Sequence, residues 1–291
     1  MDCSEVSTDG LRVKYDCLMI YHTYMPRPPL SHFVEMLWYY EDDKPPHEKE
    51  RVLPTGAMEM VINLRDDALR VCDGKNPDQL QNLGSSLVCG AHSGFFVIDT
   101  AGQVRSMGVA FKPGGTLPFL ALPAGELQDA HVPLDALWDR TAGDSRDRLL
   151  AAETVAAKFR VLEEDLLARL ARPVVRHSAV VFALEQFQRV PQEHTVSEVT
   201  ARTGLSPRRF IQLFEQEVGL TPKLFCRVQR FQEALRLCAG EERIGFGELA
   251  LACGYFDQAH FIRDFQTFSG LSPTAYLKQR SEHLNHVPIL N

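Results

Sequence analysis

Gly254-Tyr-Phe-Asp-Gln-Ala-His-Phe-Ile-Arg-Asp-Phe-Gln-Thr-Phe-Ser-Gly-Leu-Ser-Pro273 is the stretch on which the reading of this chain turns. Phe261, Phe265 and Phe268 recur at helical spacing and belong on an inward face. Gln258, Ala259, Ile262, Arg263 and Gln266 then share the opposite face. That face carries amide and guanidinium groups, which suit hydrogen bonding to base edges. Asp257 stands where a helix N-cap belongs and Gly270 where a helix stops. Upstream, Phe246 to Cys253 reads as a short apolar helix closed by Gly254. Two helices joined across a tight glycine turn make a helix-turn-helix.

The same pattern occurs fifty residues earlier. Val196-Ser-Glu198-Val199 matches Phe246-Gly-Glu248-Leu249, and Gly204-Leu205 matches Gly254-Tyr255. Phe210-Ile211-Gln212-Leu213-Phe214 matches Phe261-Ile262-Arg263-Asp264-Phe265, and Gly219-Leu220-Thr221-Pro222 matches Gly270-Leu271-Ser272-Pro273. The offset is fifty before the turn and fifty-one after it, so one residue is inserted near the second recognition helix. Thr195-Val-Ser-Glu198 fits a capping box, and Ser206-Pro207 is an N-cap followed by proline at the first helical position. The spacing predicts second helices near 206–217 and 257–268. One helix near 222–238 joins the units, with its apolar face from Leu224 to Cys238. Its Arg227 and Arg230 are open to either a phosphate contact or plain solvation.

At these residues the chain resembles the AraC family of bacterial transcription regulators. The resemblance covers about residues 176–282. Leu277-Lys278 departs from it, since many members place Arg after the Tyr. It implies two helix-turn-helix units on one chain and double-stranded DNA and RNA polymerase as partners. It also implies base contacts at the positions of Arg208, Ile211 and Gln212 in the first unit. In the second unit these fall at Gln258, Ala259, Ile262 and Arg263, with a phosphate contact expected at His260. Ser206 and Arg209 complete the expected DNA face.

A chain of 291 residues accommodates two domains, and 45% hydrophobic with 24% charged residues is ordinary for globular protein. No apolar run approaches the ~20 residues that span a bilayer. The start, Met-Asp-Cys-Ser-Glu, lacks the pattern of a signal peptide, so the expected location is cytoplasmic, with no membrane partner. Seven cysteines, an odd number with no Cys-x-x-Cys, argue against a disulfide framework or a zinc knuckle. The net charge of −7 is divided unevenly. Residues 1–175 carry 18 Lys+Arg and 26 Asp+Glu, whereas residues 176–291 carry 13 and 12. The C-terminal half is the less acidic one, and its DNA binding rests on where Arg208, Arg209 and Arg263 lie.

Residues 1–14 read as loose, and Tyr15 to about Ala121 reads as short strands with turns. Leu117-Pro-Phe-Leu-Ala-Leu reads as a helix entry, and Ser145–Arg172 as an apolar-striped helix divided near Glu153-Thr154. The boundary falls at Ala171–Val175, which gives domains at 1–172 and 176–282. Trp38-Tyr-Tyr, Arg51-Val-Leu-Pro-Thr-Gly and Val109-Ala-Phe-Lys-Pro-Gly-Gly resemble one variety of the N-terminal domain found in such regulators. The implied fold class is α+β: a cupin-like β-barrel with helices, followed by an all-α double helix-turn-helix domain. Its expected roles are sensing and dimerisation. Trp38, Arg51 and Glu59 are the candidates for meeting a small-molecule effector, with an Arg51–Glu59 ion pair as the structural alternative. The stripe from Leu149 to Leu170 is the candidate for packing on the barrel and for part of a homodimer interface.

No His-x-His, nucleophile elbow or phosphate-binding glycine loop occurs. The expectation is a protein that is not an enzyme and uses no cofactor or metal. Two other classes stay open on the sequence. One is a DNA-targeted enzyme with chemistry in the N-terminal barrel, and the other is a regulator controlled without a small molecule.

Overall fold

The computed structural model describes residues 4–6, 11–16, 19–42, 47–66, 68–74, 79–120, 122–170, 176–189, 195–240 and 245–289. The strands are β1 (Ser4–Val6), β2 (Leu11–Asp16), β3 (Met19–Tyr24), β4 (Val34–Asp42), β5 (Lys49–Val52), β6 (Glu59–Asn63), β7 (Arg70–Asp73), β8 (Gln81–Asn82), β9 (Ser86–Cys89), β10 (Phe96–Asp99), β11 (Arg105–Phe111), β12 (His131–Pro133) and β13 (His286–Pro288). They form an eight-stranded sheet, β1-β2-β3-β4-β11-β6-β9-β12, and a five-stranded one, β13-β5-β10-β7-β8.

The alternation of side chains along each strand decides which face meets what. Leu37, Tyr39, Met60, Ile62, Val88, Met107 and Val109 point from the larger sheet into the main core. Val61, Leu87 and Cys89 point the other way and meet Val71 and Phe96 of the smaller sheet, with Trp38 and Val52 packed beside them. The two sheets therefore stack face to face. Among the described residues they do not close into the expected cupin-like barrel. Each keeps two edges, and the outer edge of β5 is taken by β13 and not by a strand of the other sheet. The segment expected to be loose instead contributes β1 and β2 to the larger sheet.

The helices are α1 (Asp135–Trp138), α2 (Arg140–Ala151), α3 (Val155–Leu170), α4 (Ser178–Arg189), α5 (Val196–Arg202), α6 (Pro207–Val218), α7 (Pro222–Gly240), α8 (Phe246–Ala252), α9 (Gln258–Ser269) and α10 (Pro273–Gln279). The break near Glu153-Thr154 falls between α2 and α3. Leu149, Phe159, Leu162 and Leu166 are buried in the main core, and Tyr24 stacks on Phe159 at 5.7 Å. The stripe is thus used for intramolecular packing. Residues 117–120 form turns and not a helix entry, with Trp138 Nε1 donating to the Phe119 carbonyl at 2.9 Å. The expected boundary at 171–175 lies outside the described residues.

Helices α4 to α10 enclose an aromatic core. Phe187, Phe210, Phe214 and Phe225 meet edge to face or tilted in the first unit. Phe231, Phe261, Phe265, Phe268 and Tyr276 do so in the second. All of these rings except Phe187 are fully buried, and Phe187 is 1% exposed.

Candidate nucleic-acid interface

The two helix-turn-helix units are built from the same local parts. Helices α5 and α8 are seven residues long, and α6 and α9 are twelve. Helix α5 starts on a complete capping box. The Thr195 hydroxyl accepts from the Glu198 amide at 3.2 Å, and the Glu198 carboxylate accepts from the Thr195 amide at 2.8 Å. Ser206 caps α6 by accepting from the Arg209 amide at 3.4 Å, and Asp257 caps α9 by accepting from the His260 amide at 2.6 Å. Both recognition helices end on glycines in the left-handed region, Gly219 at φ 89° and Gly270 at φ 69°. Proline then opens α7 and α10.

This framing decides which side chains face outward. Phe210 and Phe214 anchor α6, while Arg208, Arg209, Ile211 and Gln212 are exposed with Ser206 at its start. Phe261, Phe265 and Phe268 anchor α9, while Gln258, Ala259 and Arg263 are exposed and His260 and Ile262 are half-buried. Arg209 Nη1 donates to the Gln212 side-chain oxygen at 3.2 Å, which orients the amide on that face. Every residue expected on the DNA face therefore lies on one of these two helices or caps it.

Arg227 and Arg230 are held within the fold. Arg227 pairs with the buried Asp264 at 2.8 Å and lies over the Phe268 ring. The hydrogen bond that Arg227 donates to Asp264 raises its already high pKa, against the pull of burial. Arg230 lies over the Tyr255 ring at 5.4 Å. These contacts tie α7, which separates the two units, to the second unit.

One exposed side chain escapes the sequence reading. Phe256 is 89% exposed and immediately precedes the α9 cap Asp257. It is also the inserted residue, since Gly204-Leu205-Ser206 in the first turn becomes Gly254-Tyr255-Phe256-Asp257 in the second. The shift from fifty to fifty-one was the signal that marked it.

In the N-terminal half, Trp38 and Glu59 come together, with Trp38 Nε1 donating to Glu59 at 2.5 Å between the sheets. Burial raises the Glu59 pKa, and the His286 charge and the Trp38 bond offset part of this. Arg51 is not part of this group. It follows Glu50 on β5, so it points to the opposite face, and it lies over the Phe95 ring at 5.8 Å. The Arg51–Glu59 ion pair is absent among the described residues. The rings of His92 and His131, far apart in sequence, lie 4.5 Å apart beside Phe96. Burial, reinforced by the His92 charge, pushes the His131 pKa down to about 3. No group of three metal-ligating side chains occurs among the described residues, and no described helix is long and apolar enough to cross a membrane.

Two recognition helices in repeated frames, joined by one helix, define a double helix-turn-helix protein. Residues 199–279 match the family model described as "Helix-turn-helix domain", and residues 22–133 match a "Domain of unknown function". An uncharacterized HTH-type transcriptional regulator of Haemophilus influenzae is 29% identical over 105 residues, covering 36% of this chain and 34% of its own. The arabinose operon regulatory protein of Escherichia coli is 28% identical over 94 residues, covering 32% of each chain. Among solved structures, the C-terminal domain of the response regulator AraT from Geobacillus stearothermophilus is 25% identical. It covers 38% of this chain and 93% of that one, with a TM-score of 0.35. The chain thus spans about a third of the length of these curated relatives. Residues 199–279 are a helix-turn-helix domain of the AraC type.

Proposed function

We propose that this protein is a sequence-specific DNA-binding transcription regulator. One protomer places α6 and α9 in successive major grooves of one duplex, and RNA polymerase at the neighbouring promoter is the machinery it acts on. The observation that carries this reading is the pair of matched, capped helices whose exposed faces hold Arg208, Gln212, Gln258 and Arg263. Arginine reads guanine through its O6 and N7, and glutamine reads adenine through N6 and N7. Ile211, Ala259 and Ile262 offer apolar contact to thymine methyls, as does Phe256 at the mouth of α9. Ser206 and His260 lie at helix N-termini, where phosphate is favoured.

The N-terminal sheet pair is the regulatory part in this reading. Glu59 and Trp38 belong to the polar part of an inter-sheet interior whose apolar part is Val61, Val71, Leu87 and Phe96. A small molecule that offers a hydrogen-bond donor to Glu59 and a flat face to Trp38 suits it. Dimer formation is not required for two-box recognition. The test is genome-wide mapping of bound sites followed by binding titrations on the recovered sequence. Two short boxes within each site support the reading, and uniform occupancy without a shared sequence contradicts it.

A further inference from the structure

After α10 the chain does not stop at the DNA-binding half. It turns through residues 281–285 and returns to the N-terminal sheet pair as β13. His286, Val287 and Pro288 stand opposite Val52, Arg51 and Glu50. The Leu53 amide donates to the Asn285 carbonyl at 2.8 Å, and the Ile289 amide donates to the Lys49 carbonyl at 2.9 Å. Val287 is fully buried.

The polar contacts of this strand point into the space between the sheets. Val52 packs in the inter-sheet core, so Glu50, two residues away, and His286, opposite Val52, share that inner face. His286 Nδ1 lies 2.9 Å from Glu50 Oε2, and His47 holds the other oxygen of the same carboxylate. Glu59 acts on His286 from β6 of the facing sheet. Within the turn, His283 packs edge-on to Tyr21 of β3 at 5.1 Å and lies 6.3 Å from His286. His286, from the tail of the DNA-binding half and with its side chain 41% exposed, thus stands at the rim of the N-terminal interior beside the Glu50 carboxylate.

The same tail is fastened to the helix that spaces the two recognition helices. The Gln232 side-chain amide on α7 donates to Asn285 Oδ1 at 2.8 Å and to the Pro54 carbonyl, just past β5, at 2.7 Å. Gln229 on α7 donates to the Thr55 carbonyl at 3.0 Å. The Tyr276 hydroxyl on α10 donates to the Leu284 carbonyl at 2.9 Å. We propose that β13 is a latch whose His286 completes the wall of the N-terminal interior, and that occupancy beside Glu59 reaches α7 by displacing it. This rests on reading the N-terminal half as the regulatory part, while the latch itself is testable without DNA.

The latch carries a pH dependence. Burial opposes the charged imidazole, but the Glu50 hydrogen bond and the Glu50 and Glu59 charges outweigh it and hold the His286 pKa above its ordinary value. Glu50 is itself disfavoured by burial, yet His286 and His47 hold it at about 2. A raised histidine stabilises fully below its ordinary value of 6.5, and that contribution is lost as pH rises through the raised value. Glu50 stays ionised throughout that range, so the latch weakens on the alkaline side.

The test is amide hydrogen exchange of the full chain, corrected for intrinsic rates, at pH 6 and pH 9. Wild-type residues 49–53 should be protected at pH 6 and exchange several-fold faster at pH 9. His286→Ala should speed their exchange about tenfold at pH 6 and remove the pH difference, while α6 and α9 keep their protection. Glu50→Gln should lose the pH difference as well. Unchanged exchange at 49–53 in His286→Ala overturns the latch, and a uniform rise in every segment shows only general destabilisation and overturns it too. Coupling between sites is reciprocal. DNA whose binding is verified by footprint should therefore change exchange at 49–53 in the wild type and not in Gln232→Ala. A footprint without that change overturns the coupling, whereas no footprint at all contradicts the DNA-binding reading instead.

Discussion

Arg263 is exposed on the outer face of α9, and Asp264, the next residue, is buried against Arg227 of α7. Adjacent positions on one helix thus divide between the exposed face proposed to read DNA and a buried contact that holds the helix. Replacing Arg263 with Ala should cost about 1–3 kcal/mol of binding and relax the preference at one base position, as a bidentate arginine–guanine pair is worth about that much. Titrations against single-base variants of the site check this, and an equal loss on every sequence would remove Arg263 from the readers. Replacing Asp264 with Ala should act on stability. Loss of one partner of a buried pair costs up to ~3–5 kcal/mol, and the partial exposure of Arg227 lowers the expectation to about 1–3 kcal/mol. Chemical denaturation would measure it. Phe256→Ser should weaken binding about fourfold, the equivalent of ~0.8 kcal/mol for one methylene-sized contact. Wild-type protein should be similarly sensitive to deoxyuridine in place of thymine in the second box, and the variant should not. Equal sensitivity of both proteins would mean that Phe256 does not touch the groove.

Among the elements, those with local causes were legible in the sequence. The capping box at Thr195, the Ser206-Pro207 start and the phenylalanine spacing on α6 and α9 act within a few residues, so they can be read along the chain. Strand pairing depends on distant partners. The order of the two sheets, and the return of residues 286–288 to β5, had no local signature, and alternation alone did not distinguish stacked open sheets from a barrel. Trp38 and Glu59 were singled out from their types, but strand alternation turns Arg51 away from them. Thr195→Ala should destabilise the protein by about 1 kcal/mol, the usual worth of a cap. Gly270→Ala should cost more than that in thermal unfolding. It places a side chain at φ 69° and a Cβ 2.5 Å from the ring of Phe95, the residue just before β10. A variant as stable as wild type would show that Phe95 yields freely and that the contact is loose.

Across the whole molecule, the N-terminal half packs against the helix-turn-helix units and leaves exposed the faces proposed to read DNA. Gly125 in the 3₁₀ turn at Ala124–Leu127 lies against the backbone of Glu215 near the end of α6, and Gly219 lies against Met58 and Ala91. Arg208, Gln212, Gln258 and Arg263 remain exposed with both halves in contact. The central claim is therefore that one protomer, in this packed form, reads two boxes. Hydroxyl-radical footprinting of the full chain on a recovered site, at a protein concentration where sedimentation finds one protomer per duplex, tests it most directly. Two protected patches are expected on one face of the duplex, about one helical turn or ~34 Å apart, with Arg263→Ala weakening one patch first and Arg208→Ala the other. A single patch, or protection that appears only when two protomers occupy a palindrome, would contradict it.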